Sequence, residues 1–285
     1  MFFTSGARYS LKRGALYFCA EDARCMERKK KSPPKIRPKL TLEVLRRNAI
    51  LAGLSGAEAA TVAKAATLVD LKAKHQVYQP DLRIREIYFP IDCVFSVVAR
   101  MKDGAQVEVG TVGREGTTAV PVLLGAASSS NDCYCQVPGK AIKVDVRFFQ
   151  SLRATSPKLR QLLDNYVRAY VIMLSQLAAC NRLHHVYERC ARWLLMAHDR
   201  VRKTDIKLTH EYLAMMLGTQ RSGVTVAAAT LQKAGFIRYR NGNITIVNRL
   251  GLEKASCECY DVARELFVTM LHSGDGIAAT RAVLN

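Results

Sequence analysis

The stretch Leu208-Thr-His-Glu-Tyr-Leu-Ala-Met-Met-Leu-Gly218, continuing as Thr219-Gln-Arg-Ser-Gly-Val-Thr-Val-Ala-Ala-Ala-Thr-Leu-Gln-Lys-Ala-Gly235, decides the fold of this chain. Its spacing predicts two short helices hinged at Gly218. Thr209 is a suitable N-cap, and Leu213, Ala214 and Leu217 form one apolar face. Gly218 supplies the turn, and Thr219 is placed to cap the second helix. That second helix buries Val224, Ala227, Ala228 and Leu231. Gln220, Arg221, Ser222 and Thr225 are left near its exposed N-terminal end. A helix end of this composition suits the donor and acceptor pattern of base edges in a major groove.

The following residues extend the motif. Ile237-Arg-Tyr-Arg240 and Ile244-Thr-Ile-Val247 flank Asn241-Gly-Asn243, and Asn-Gly between alternating strands is a strong hairpin signal. A basic hairpin beside a helix-turn-helix reads as a wing, with Arg238, Arg240 and Asn243 facing phosphates. The competing reading is a helical hairpin inside an ordinary core. Turn, caps, exposed polar residues and hairpin together weigh against it.

Composition supports a polyanionic partner. The 285 residues carry a formal net charge of +19, which favours nucleic acid or an anionic membrane surface. The winged motif selects double-stranded DNA, and no membrane partner is expected, since the longest apolar runs fall far short of the ~20 residues of a span. Nine scattered cysteines argue against a complete disulfide framework. Cys133/Cys135 and Cys257/Cys259 have CxC spacing, but neither pair has a second pair or a histidine at familiar zinc spacing. Reduced, structural thiols, no metal site, no cofactor and a cytoplasmic location are therefore expected.

The chain divides into five segments. Residues 1–39 are basic and broken by proline, the expected signature of a disordered extension. Residues 40–155 begin with helical pattern to about Ala66. They continue with period-two strands at Gln76–Tyr78, Glu86–Phe89, Val94–Val98, Gln106–Val109 and Ala141–Val144, which predict an antiparallel β-roll or jelly roll. Residues 156–185 form a long helix opened by Pro157. Leu159, Leu163, Tyr166, Tyr170, Met173, Leu177 and Cys180 follow four- and three-residue steps, a seam expected to pair two copies, while Leu162, Val171, Leu174 and Ala178 could pack on the chain's own roll. Residues 186–255 hold the winged helix-turn-helix, with Trp193 as its core anchor. Residues 256–285 form a tail that could pack on it as a short helix. Adjacent His184 and His185 point about 100° apart on a helix, so they mark a boundary or exposed surface rather than a shared metal.

The order β-roll, long helix, helix-turn-helix and wing resembles the Crp/Fnr family of bacterial transcription regulators. The most specific residues are Leu208 to Gly218, Arg221-Ser-Gly-Val-Thr225 and Leu231-Gln-Lys-Ala-Gly-Phe-Ile237. The resemblance implies an α+β fold and a homodimeric, sequence-specific DNA-binding regulator with a cyclic-nucleotide-binding-like domain. RNA polymerase and a small-molecule effector are its further candidate partners. It assigns Arg221 to a guanine contact. Ser222 stands where members commonly have Glu, and Val226 where a second Arg is common, so the preferred DNA sequence should be this chain's own. Gly113-Arg-Glu-Gly116 loosely matches the ribose-binding segment, with Glu115 the acidic candidate. Ala126 to Asp132 offers no cation where the cyclic phosphate would need one. Control by a signal other than cyclic AMP is therefore expected. The alternative is a constitutive DNA-binding protein whose roll is a scaffold. An enzyme on the roll, such as a metal-dependent cupin, would need clustered ligands, and of six histidines only His75 lies there. No catalytic function is expected.

Overall fold

Side chains that alternate between water and a shared interior account for the first half of the fold. The computed structural model describes residues 40–201 and 205–271. The basic segment 1–39 lies outside the described residues. Three short helices lead in: α1 (Leu42–Leu45), α2 (Ala49–Ala52) and α3 (Gly56–Ala65). Buried Asn48 caps α2 through its Oδ1 and donates its Nδ2 to the carbonyls of Pro90 and Gly116, fixing the helices to the roll.

Seven strands follow: β1 (Thr67–Leu71), β2 (Gln76–Tyr78), β3 (Glu86–Pro90), β4 (Val94–Arg100), β5 (Gln106–Val112), β6 (Asp132–Val137) and β7 (Gly139–Asp145), with α4 (Val120–Leu123) between β5 and β6. They form two antiparallel sheets, ordered β1-β7-β3 and β2-β6-β4-β5. Tyr88 of one sheet meets Phe95 of the other at a ring-centroid distance of 5.7 Å. The expected β-roll is therefore present. Its sequence pattern missed β1, where Leu68 and Val69 break the alternation, and β6. Cys133 and Cys135 lie on β6 with both thiols buried. Burial pushes the Cys133 thiol far above the ordinary range, which keeps it protonated and structural.

Helix α5 (Val146–Thr155) leads to α6 (Pro157–Leu183). The Ser156 hydroxyl accepts from the Leu159 amide at 2.9 Å, with Pro157 in the first helical position, as the sequence indicated. The heptad residues do not face outward. Leu159, Leu163, Tyr166, Tyr170 and Met173 are buried within their own chain and Leu177 is half-buried. The Tyr166 hydroxyl donates to the Thr117 carbonyl at 3.1 Å, and Tyr170 closes on Gly110 of β5. Leu162 is buried as read, but Val171 and Ala178, also read as facing the roll, are exposed instead. Leu174 does pack against the roll beside Gly110, so beyond the first turns the roll takes Leu174 together with the bulkier, aromatic side, and only Val171 and Ala178 turn outward.

The C-terminal half comprises α7 (Val186–Val201), β8 (Asp205–Lys207), α8 (His210–Leu217), α9 (Arg221–Lys233), β9 (Ile237–Arg240), β10 (Asn243–Ile246), α10 (Arg249–Lys254) and α11 (Cys259–Leu271). The wing has three strands, ordered β8-β10-β9, one more than the hairpin signal indicated. Helix α11 packs along α6 and α7, with Phe267 against Tyr166 at 6.2 Å. Among the described residues, no helix is long and apolar enough to cross a membrane.

Candidate nucleic-acid interface and its coupling to the roll

The turn between α8 and α9 is built as its residue types dictate. Thr209 Oγ1 accepts from the Tyr212 amide, and Gly218 ends α8 in the left-handed region at φ 55°. Gln220, not Thr219, is the N-cap of α9, and its side chain makes no capping bond. The first amides of α9 therefore keep their donors for an outside acceptor, an arrangement suited to a phosphate.

Val224, Ala227, Ala228 and Leu231 are buried, while Gln220, Arg221, Ser222 and Thr225 are exposed and Thr219 is half-buried. Arg238, Arg240 and Asn243 of the wing are exposed as well. Val226 is 67% exposed on the same surface. Thr225 is partly committed within the protein: its hydroxyl lies 2.9 Å from the Arg221 carbonyl and 3.0 Å from His210 Nδ1. His210 stacks on Tyr239 at 4.5 Å and so joins α8, α9 and the wing. Burial, aided by Arg221, lowers the His210 pKa, which favours the neutral ring. The sequence offered no signal for this role beyond an aromatic residue on the wing.

The Gly113 to Gly116 segment does different work from that expected. Glu115 is buried and pairs with Arg200 of α7 at 2.8 Å, side chains 4% and 8% exposed. Glu115 also accepts from the Gly113 amide, and Arg114 donates to the Arg200 carbonyl through Nε (3.0 Å) and Nη2 (2.6 Å). A Cβ on Gly113 would collide with the Arg200 side chain, and one on Gly116 would strike the Tyr166 ring. The segment is therefore filled from within by α7. The cavity lined by Arg114, Glu115, Met196, Arg200 and Tyr260 measures about 50 Å³, and the one between Glu108, Trp193 and Arg200 about 30 Å³, each far too small for a nucleotide.

A second polar link runs beside it. Trp193 Nε1 of α7 donates to Glu108 of β5 at 3.0 Å, and Ser96 donates to the same carboxyl. Trp193 thus anchors the C-terminal half to the roll as well as serving its own core. Burial raises Glu108 to about 7, opposed by Ser96, Trp193, Arg192 and Arg200. The folded state holds this proton more tightly than the unfolded chain. Its contribution is full below the ordinary carboxylate value and is lost as pH rises through about 7. Glu108→Gln is neutral at every pH. It should match the parent near pH 4 and below, and exceed it by up to about 3 kcal/mol near pH 8, read by urea unfolding. The same pH slope in both proteins would contradict this assignment.

A β-roll, a long helix and a winged helix-turn-helix define a two-part architecture with one exposed reading face. Residues 188–255 match the Crp-like helix-turn-helix domain. The fold is shared with a CRP-family transcriptional regulator from Thermus thermophilus, 15% identical over 66% of this chain and 96% of the other, TM-score 0.56. A regulator of the Crp/Fnr family from Eubacterium rectale is 13% identical over 73% and 98%, TM-score 0.57. FixK2 from Bradyrhizobium japonicum is 14% identical over 67% and 98%, TM-score 0.57. No curated protein matches the chain. The chain thus has the Crp/Fnr fold, with a Crp-like helix-turn-helix as its C-terminal part, and the resemblance read from its motifs stands.

Proposed function

We propose that this protein is a sequence-specific DNA-binding transcription regulator that acts as a homodimer. The observation that carries the reading is the uncapped, exposed N-terminal end of α9, set beside a basic wing within a Crp-like helix-turn-helix. Arg221 reads a guanine, and Val226 offers an apolar contact for a thymine methyl. Arg238, Arg240 and the first amides of α9 set the register on phosphates.

The dimer is carried by the outward stripe of α6, not by the inward seam. Val171 (52% exposed), Ile172, Ser175, Ala178 and Ala179 form an outward stripe at three- and four-residue steps, with Leu183 (73% exposed) one turn beyond Ala179. Its small residues allow two helices to approach closely. Val171→Glu combined with Ile172→Glu should convert the protein to a monomer in sedimentation equilibrium and abolish two-site DNA binding. A dimer that persists would reject this stripe as the interface.

The internal Arg200–Glu115 pair favours a second reading of control, in which the roll is a scaffold and DNA binding is constitutive. Ligand-dependent melting of the full chain against nucleotides and small effectors separates the two. Stabilisation by any of them supports effector control.

A further inference from the structure

The end of α6 and the beginning of α11 bring three cysteines and a histidine together. Cys180, His184, Cys257 and Cys259 have their ligand atoms all within 4.8 Å of one another, with the three cysteines buried and the histidine half-buried. Cys180 Sγ lies 3.6 Å from Cys257 Sγ, and Cys259 Sγ lies 3.5 Å from His184 Nδ1. Zinc holds thiolate sulfur at about 2.3 Å and imidazole nitrogen at about 2.0–2.1 Å, so tetrahedral ligation sets S···S edges of about 3.8 Å and S···N edges of about 3.6 Å. These two separations lie close to those edges, and the other four are all within 4.8 Å. An iron–sulfur cluster would spread the same ligands around several metal atoms, whereas this spacing encloses one ion.

The surroundings fit as well. Glu258 accepts at His184 Nε2 (3.1 Å), which turns the Nδ1 lone pair toward the cysteines, and Gln176 donates to Cys259 Sγ at 3.1 Å. Three thiolates and one divalent ion leave a single negative charge. Arg192, buried beside Cys180 and Cys259, has no partner for its Nε among the described residues and supplies the compensating charge.

We propose that Cys180, His184, Cys257 and Cys259 form a closed, four-ligand structural site for one zinc ion. Soft thiolates with an imidazole select zinc over hard cations, and four protein ligands leave no open position for catalysis. The ion clips α11 onto the α6–α7 junction, since His184 is the C-cap of α6 and α7 begins at Val186. This inference goes beyond the DNA-binding reading and does not depend on it. Neither CxC pair nor the His184-His185 pair marks the site by itself, because the four ligands come from two segments more than 70 residues apart. The usable signal was Cys180 and His184, four residues apart on one helix face.

The test is elemental analysis of the full-length protein, purified without chelator or a metal-affinity tag. One zinc per chain is expected, and cobalt exchanged into the wild type should give the intense visible bands of tetrahedral thiolate ligation. His184→Ala and Cys259→Ser should lose the metal, whereas His185→Ala should retain it. The cobalt spectrum of the unaltered protein keeps the test decisive if a ligand variant fails to fold. Substoichiometric zinc after reconstitution, an octahedral cobalt spectrum, or a Cys180–Cys257 disulfide in the isolated protein would each overturn the site.

Discussion

Glu115→Ala should destabilise the protein by about 3–5 kcal/mol, the cost of leaving a buried charge without its partner. Arg200 would remain buried where α7 meets the roll, beside cavities of only about 30 and 50 Å³ that hold little water to replace the carboxylate. A typical domain has about 5–15 kcal/mol in total, so the loss is a large fraction of its stability. It should appear as a lower urea midpoint at unchanged slope. Replacing both partners, Glu115→Leu with Arg200→Met, should recover most of the loss, because no charge is then buried. A cost under about 1 kcal/mol for Glu115→Ala would place the pair in water and show that it does not tie α7 to the roll.

The second large effect falls on DNA affinity. Arg221→Ala should weaken binding to the preferred site by about 1–3 kcal/mol, about 5- to 150-fold in Kd, with relaxed selectivity at one base of each half-site. Arg221 is exposed and supports no core residue, so the thermal midpoint should not move. Wing variants behave differently. Arg238→Ala and Arg240→Ala should weaken all duplexes alike and reduce the salt dependence of binding. Equal losses on preferred and random duplexes for Arg221→Ala would assign that residue to phosphate rather than base.

The helix-turn-helix was legible because its signals are local. Thr209, Gly218 and Asn241-Gly242 each fix a turn or cap within a few residues, and the structure places them as their chemistry requires. The roll was legible in outline for the same reason, although Leu68-Val69 and the cysteines of β6 concealed two strands. What sequence could not supply was the choice between two faces of one helix. α6 carries apolar residues on both, and only the assembled roll and α11 reveal which face is used internally. The pairing of Glu115 with Arg200 spans 85 residues, and that of His184 with Cys259 spans 75. Contacts of that range leave no periodic trace. The Gly113 to Gly116 segment accordingly resembled a ligand loop while serving as the seat for α7.

Two copies of α9 are expected to read one two-fold DNA site. Selection of bound duplexes from a random library by the purified full-length protein tests it most directly. An enriched palindromic motif with half-sites about 10 base pairs, or a multiple of that, apart is expected, with loss of one specified base when Arg221→Ala is used. Retention of duplexes without any enriched sequence, or no retention at all, would contradict it.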